Sequence, residues 1–155
     1  MSQIYVDCDG VIADFDKRAT EIMGCPPREW EERNGSKNFW DTLYKTPNFF
    51  LDLDPMLDAH ELMDVLAPHD PIILTGCPRG YWAVPQKLMW RDKYFKNVPM
   101  ICTESVNKKV HCRPGDVLVD DWHKHAHLWE AKGGHFVLHT SALDSIEKLK
   151  VLGVL

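Results

Sequence analysis

Ile4-Tyr5-Val6-Asp7-Cys8-Asp9-Gly10-Val11-Ile12-Ala13-Asp14-Phe15 is the stretch whose reading decides the fold. A short apolar run ends in two carboxylates at i and i+2, followed by a glycine. Side chains alternate along a strand, so Asp7 and Asp9 are expected on the same side. Open parallel sheets bind their ligands outside the carboxyl ends of the strands, where these acids fall. Gly10 lets the backbone turn sharply and approach a ligand closely. Two carboxylates about 4 Å apart repel by roughly 4 kcal/mol at an effective dielectric of about 20. A bound cation or a shared proton would relieve that. Taken alone, Asp-x-Asp-Gly is also an ordinary strand-ending turn.

Working outward, four more runs have the same build: Pro71 to Thr75, Pro99 to Thr103, Asp116 to Asp120 and His135 to His139. Each is short and bounded by turn residues, and most carry the Ile or Val of strands buried on both faces. Helical spacing separates them. Met56, Ala59, Leu62, Met63 and Leu66 recur ahead of the second run, and Val84, Leu88, Arg91 and Phe95 ahead of the third. The alternation predicts an α/β fold with a parallel sheet of about five strands, right-handed crossovers and flanking helices. The interval from Asp7 to Pro71 far exceeds the dozen or so residues of one crossover. Residues 15–70 are therefore expected to hold a small helical cap, with residues 1–14 and 71–155 forming the core. That interval is rich in aromatics, among them Phe15, Trp30, Phe39, Trp40, Tyr44, Phe49 and Phe50.

Composition bounds the function. The 155 residues make one domain's worth of chain, 45% hydrophobic and 26% charged, which is the globular balance. A net charge of −5 with no basic tract argues against nucleic acid as a partner. The longest apolar run, Tyr81 to Val84, cannot span a bilayer. Met1 leads straight into the first strand, so no signal peptide is expected. Five scattered cysteines without a C-x-x-C suggest a reduced, cytoplasmic protein. A monomer or homodimer is expected.

Three further motifs bear on chemistry. Asp120-Asp121 follows the apolar Val117-Leu118-Val119. Four carboxylates at the ends of two strands would repel heavily without a hard cation, and oxygen-only ligation suits Mg²⁺. Ile72-Ile73-Leu74 runs into Thr75 and Gly76, a hydroxyl and a backbone N–H able to hold a phosphate oxygen. Lys108-Lys109 could supply a cation to that phosphate; in isolation it reads as a solvated pair. His123-Lys124-His125-Ala126-His127 would place His123 and His127 at i, i+4 on a helix, a metal-binding spacing. No carboxylate lies between them, and the plainer reading is a helix face beside the site. Cys8, between the two aspartates, is expected to point into the core.

These residues resemble the haloacid dehalogenase (HAD) superfamily of phosphotransferases. Asp7-Cys8-Asp9-Gly10-Val11 is similar to its first motif, Thr75 to its second, Lys108 or Lys109 to its third and Asp120-Asp121 to its fourth. Within it, Asp7 to Phe15, Asn48 to Pro55, Gln86 to Phe95 and Val119-Asp120-Asp121 resemble the 5′(3′)-deoxyribonucleotidases. The second motif departs from that family, with Thr75-Gly76-Cys77-Pro78 where Thr-Ser is usual before the proline.

The resemblance implies a Rossmann-like core and a Mg²⁺-dependent phosphomonoester hydrolase. Asp7 would be the nucleophile that carries an aspartyl-phosphate, and Asp9 the general acid/base. Mg²⁺ would be held by Asp7, the Asp9 backbone carbonyl, Asp120 and Asp121. Thr75, Gly76 and Lys108 would cradle the phosphate, with Lys109 left open as the alternative lysine. The cap would close over the site, with Phe15, Phe39, Trp40 and Phe49 as candidates to stack on a flat group. The implied substrate is a small phosphate ester, a nucleoside monophosphate first. The alternatives are a non-nucleotide phosphate ester, a metal-dependent nucleotide-sugar glycosyltransferase and a non-catalytic binding module.

Overall fold

The computed structural model describes the whole chain, residues 1–155. Five strands form one parallel sheet: β1 (Ile4–Val6), β2 (Ile72–Gly76), β3 (Met100–Thr103), β4 (Val117–Asp120) and β5 (His135–Leu138). Their order is β3-β2-β1-β4-β5. The five apolar runs of the sequence are these five strands, and the α/β, Rossmann-like expectation holds. Every residue of β1 and β4 is buried, whereas the edge strands β3 and β5 are only partly so. From β1 the chain moves outward to β2 and β3, then crosses back to β4 and β5. The reversal creates a topological switch point between β1 and β4, where open α/β sheets bind ligands. Val6 pairs with Val119, so Asp7 and Asp120 leave the sheet side by side.

Seven helices flank the sheet: α1 (Phe15–Met23), α2 (Pro27–Asn34), α3 (Ser36–Lys45), α4 (Ala59–Leu66), α5 (Ala83–Tyr94), α6 (Ala126–Glu130) and α7 (Ala142–Val151). Local chemistry sets their ends. Asp14 caps α1 by accepting the Lys17 N–H at 3.2 Å, and Gly24 ends it in the left-handed conformation. Pro27 opens α2, where its missing N–H leaves nothing unpaired. α2 packs on α1 and α3, while α4 packs on α7. No helix is long and apolar enough to cross a membrane.

The chain leaves for α1 and returns after α3 through one gate. The Asp14 N–H donates to the Asp54 carbonyl and the Met56 N–H to that of Ile12, both at 2.8 Å. The returning segment is then tied to α5. The Trp90 indole N–H donates to the Leu53 carbonyl, and Gln86 Oε1 accepts the Phe50 N–H, both at 2.9 Å. Phe49, Phe50 and Leu53 join Phe39 and Leu43 to the sheet residues Ile4, Val6, Val117 and Val119 in one continuous core.

Two sequence expectations are corrected. The buried face of α5 is Ala83, Lys87 and Trp90, not Val84, Leu88 and Arg91. The face follows Trp90, the largest apolar group on the helix, and Arg91 instead donates to the Val98 carbonyl at 2.9 Å. The histidines do not share a helix. His123 precedes α6 in a turn, its carbonyl accepting the Ala126 N–H at 3.0 Å, so His123 and His127 lack helical i, i+4 geometry.

Trp90→Phe keeps an aromatic ring but leaves the buried Leu53 carbonyl without its donor. Urea denaturation should show a loss of about 1–3 kcal/mol, the usual penalty for a buried unsatisfied group.

Candidate active site

Asp7, Asp120 and Asp121 converge at the switch point. One carboxylate oxygen from each lies within 4.8 Å of the others. Asp7 follows β1 directly, and its N–H extends the ladder to the Val119 carbonyl at 2.9 Å. Lys108 sits on a 3₁₀ segment (Ser105–His111) and reaches between the first two acids. Its Nζ is 2.9 Å from Asp7 Oδ1 and 2.9 Å from Asp120 Oδ2. The other Asp120 oxygen accepts the Trp122 N–H at 3.0 Å. Asp121 lies against Gly10: a Cβ there would come within 1.9 Å of Asp121 Oδ2. Gly10 also has φ +81°, so the position needs glycine for space and for conformation.

The trio carries more negative charge than one lysine balances. Burial, and then Asp120, push the Asp7 carboxyl up to about 6 despite Lys108. Desolvation, and then Asp7 and Asp120, push Asp121 up to about 8. Lys108 moves the other way: burial pulls it down, and Asp7 and Asp120 outweigh that and hold it charged. An oxygen-only donor set with surplus negative charge fits a hard divalent cation.

Asp9 belongs to a second, adjoining ion pair. Lys87 Nζ lies 2.7 Å from Asp9 Oδ2, 2.7 Å from Thr75 Oγ1 and 3.3 Å from the Gly76 carbonyl. Lys87 is fully buried, and Asp9 counters the pull of burial and keeps it protonated. Burial raises the Asp9 carboxyl while Lys87 opposes the rise. Asp9 Oδ1 is buried and has no hydrogen-bond partner, while the residue itself lines the cavity. The sequence reading missed Lys87. The signal was a cation on the stripe Ala83–Lys87–Trp90, set among residues of large burial.

The predicted residues fall out as follows. Asp7, Asp9, Gly10, Gly76, Lys108, Asp120 and Asp121 line one cavity of about 520 Å³. Lys108, not Lys109, meets the carboxylates; Lys109 stands further out on the wall. Thr75 is fully buried behind the lining, its hydroxyl accepting from Lys87, while Gly76 and Ser105 face the cavity. A Cβ on Gly76 would come within 2.1 Å of Ser105 Oγ, which accounts for glycine there. Phe15, Phe39 and Trp40 line the side formed by α1–α3. Phe49 does not. It is fully buried edge-on beneath Phe15 at 5.3 Å, because the returning segment needs it in the core. Cys8 packs in the core as expected.

The family described as 5′ nucleotidase, deoxy (pyrimidine), cytosolic type C protein matches residues 1–147. The chain belongs to this family. It is a hydrolase of the phosphatase/nucleotidase class, which sets aside the glycosyltransferase and non-catalytic readings. No curated protein matches. Among solved structures, a predicted phosphatase from Clostridium acetobutylicum is similar over 98% of this chain and 90% of its own, with TM-score 0.60 and 10% identity. A HAD family hydrolase from Deinococcus radiodurans, crystallised with phosphate and sodium, is similar over 100% and 97%, with TM-score 0.56 and 14% identity. A hydrolase from Streptococcus pneumoniae is similar over 97% of both chains, with TM-score 0.56 and 12% identity. At these identities the likeness is one of fold.

Two measurements probe the candidate site directly. Lys87→Met leaves the partly buried Asp9 carboxylate without its counter-ion, so urea denaturation should show a loss of about 1–3 kcal/mol. The Asp9 carboxyl should also titrate higher by carbon-detected NMR. The second concerns the cation. Asp7 and Asp121 bind protons more tightly folded than unfolded. Their contribution to metal-free stability is complete below the ordinary carboxylate value of 3.8 and is lost as pH climbs through about 6 and then about 8. A divalent cation needs the ionised forms. Its addition to EDTA-stripped protein should therefore raise Tm more near pH 8 than near pH 5.

Proposed function

We propose that this chain is a Mg²⁺-dependent phosphomonoester hydrolase that works through an aspartyl-phosphate on Asp7, with a nucleoside 5′-monophosphate as substrate. One observation carries the reading: Lys108 clamps Asp7 to Asp120 and leaves Asp121 uncompensated at the same point. Lys108 spends two of its three N–H donors on those carboxylates, and the third is available for a phosphate oxygen. The residues fit a metal. Asp7, the Asp9 backbone carbonyl, Asp120 and Asp121 would hold it, with Asp121 the carboxylate least engaged elsewhere. Bound there, Mg²⁺ keeps Asp7 ionised at neutral pH and neutralises phosphate charge.

Asp7 attacks phosphorus, so a difficult hydrolysis is split into two easier steps. Asp9 gives a proton to the leaving alkoxide, then takes one from the water that opens the aspartyl-phosphate. Its raised carboxyl suits a group that must hold that proton first. Such a proton-transfer group contributes about 10²–10⁴-fold. Gly76 completes the phosphate cradle from the end of β2, with Thr75 behind it holding Lys87 in place, and Lys108 meets the equatorial oxygens where charge collects. The cap, expected within residues 15–70, is α1–α3, which brings Phe15, Phe39 and Trp40 over the site. Family membership and a cavity of about 520 Å³ with aromatic walls support a nucleotide over a smaller ester.

Asp7→Asn should abolish release of phosphate from nucleoside 5′-monophosphates while the unfolding transition persists. EDTA should abolish it reversibly in the unaltered protein, with Mg²⁺ restoring it. Substantial turnover by Asp7→Asn would remove Asp7 as nucleophile.

A further inference from the structure

The cavity has another side that the proposed reaction leaves unused. Lys109, Trp122, Lys124 and His125 line it, from the 3₁₀ segment and the loop that follows β4. The sequence drew notice here for its histidines, but the structure makes it a cationic and aromatic wall. Lys87 and Lys108 are both matched to carboxylates. Lys109 and Lys124 take part in none of the ion pairs of the chain.

Trp122 is 39% exposed, unusual for a residue of its size beside a buried site. Lys124 Nζ lies 5.1 Å from its ring centroid, and the His125 ring meets it edge-on at 5.8 Å. The Trp122 N–H anchors this loop to the acidic floor through Asp120. Burial, then Lys124, His127, Lys108 and Lys109, lower the His125 pKa, so two lysines supply the positive charge and His125 a neutral hydrogen-bonding ring. In a chain of net charge −5, unpaired cations next to a phosphate-handling floor mark a place for an anion.

We infer that Lys109, Trp122, Lys124 and His125 form a subsite for a second phosphate on the substrate, so that the preferred phosphomonoester is doubly phosphorylated. This rests on the phosphatase reading above. The scissile phosphate sits on the acidic floor, the second one meets Lys109 and Lys124, and Trp122 covers the linker between them.

The test compares a nucleoside 5′-monophosphate with the matching 3′,5′-bisphosphate, with Mg²⁺ present and products identified. The unaltered protein should show kcat/KM for the bisphosphate higher by about tenfold, the worth of one charge-assisted hydrogen bond. Lys124→Ala should shrink that ratio and Lys124→Glu should bring it to about one or below. Equal kcat/KM values in the unaltered protein, or an undiminished ratio in Lys124→Glu, would overturn the subsite and leave the phosphatase reading intact. Hydrolysis of neither compound would overturn that reading, and the subsite with it.

Discussion

Asp7 and Asp120 leave neighbouring strands side by side, and their carboxylates would force the switch point open if Lys108 did not stand 2.9 Å from each. The rest of the molecule is arranged around that contact. The parallel register brings the acids together. The 3₁₀ segment between β3 and β4 delivers the lysine. Burial then makes the arrangement strict, because a charge removed from water and left unpaired is far more costly than one at the surface. A site held in this way is pre-set before any ligand arrives. Its geometry is fixed by the sheet and by one ion pair, not by flexible loops.

Two glycines give that contact room. Gly10 lets Asp121 lie against the turn after β1, and Gly76 lets Ser105 lie against the end of β2. In each case the missing Cβ allows a side chain from another strand-end to enter the floor. The turn around Gly10 is wound tightly, with the N–H groups of Val11, Ile12 and Ala13 all donating to the Cys8 carbonyl. The stem formed by Ile12, Asp14, Asp54 and Met56 begins immediately after. Any motion of α1–α3 over the cavity must therefore pivot beyond that stem. Asp9 stays with the sheet side of it, held by Lys87.

The sequence made the strand ends legible because two signals coincide there. Parallel strands read as short Ile- and Val-rich runs, and functional acids sit at their carboxyl ends. Asp7, Asp9, Asp120 and Asp121 could be picked out for that reason, and they meet as expected at one floor. Lys87 could not be picked out in the same way. It lies on a helix whose apolar stripe can be drawn on two adjacent faces, and only the position of Trp90 against the returning segment decides between them. The choice between Lys108 and Lys109 was equally closed to sequence, because a 3₁₀ turn rotates successive side chains by about 120°. Phe49 looked like a stacking residue because aromatic composition does not report direction. The core claimed it instead.

Charge on the floor explains why two lysines are not enough. Asp7, Asp9, Asp120 and Asp121 supply four carboxylates, and Lys87 and Lys108 supply two ammonium groups. Four negative charges against two positive ones leave a floor of net −2, which would repel a phosphate dianion. The protein answers this in part by raising the carboxyls of Asp7 and Asp121, so that protons stand in for missing cations. Under the proposed mechanism a protonated Asp7 would be a poor nucleophile, so protons could not serve during that reaction. A divalent cation held there would bring the same floor to neutrality with Asp7 ionised, and a dianion could then enter with both lysines in place. On this count a divalent cation fits the electrostatics of the floor, and under the proposed reaction a third lysine there would be a substitute only at the expense of a carboxylate.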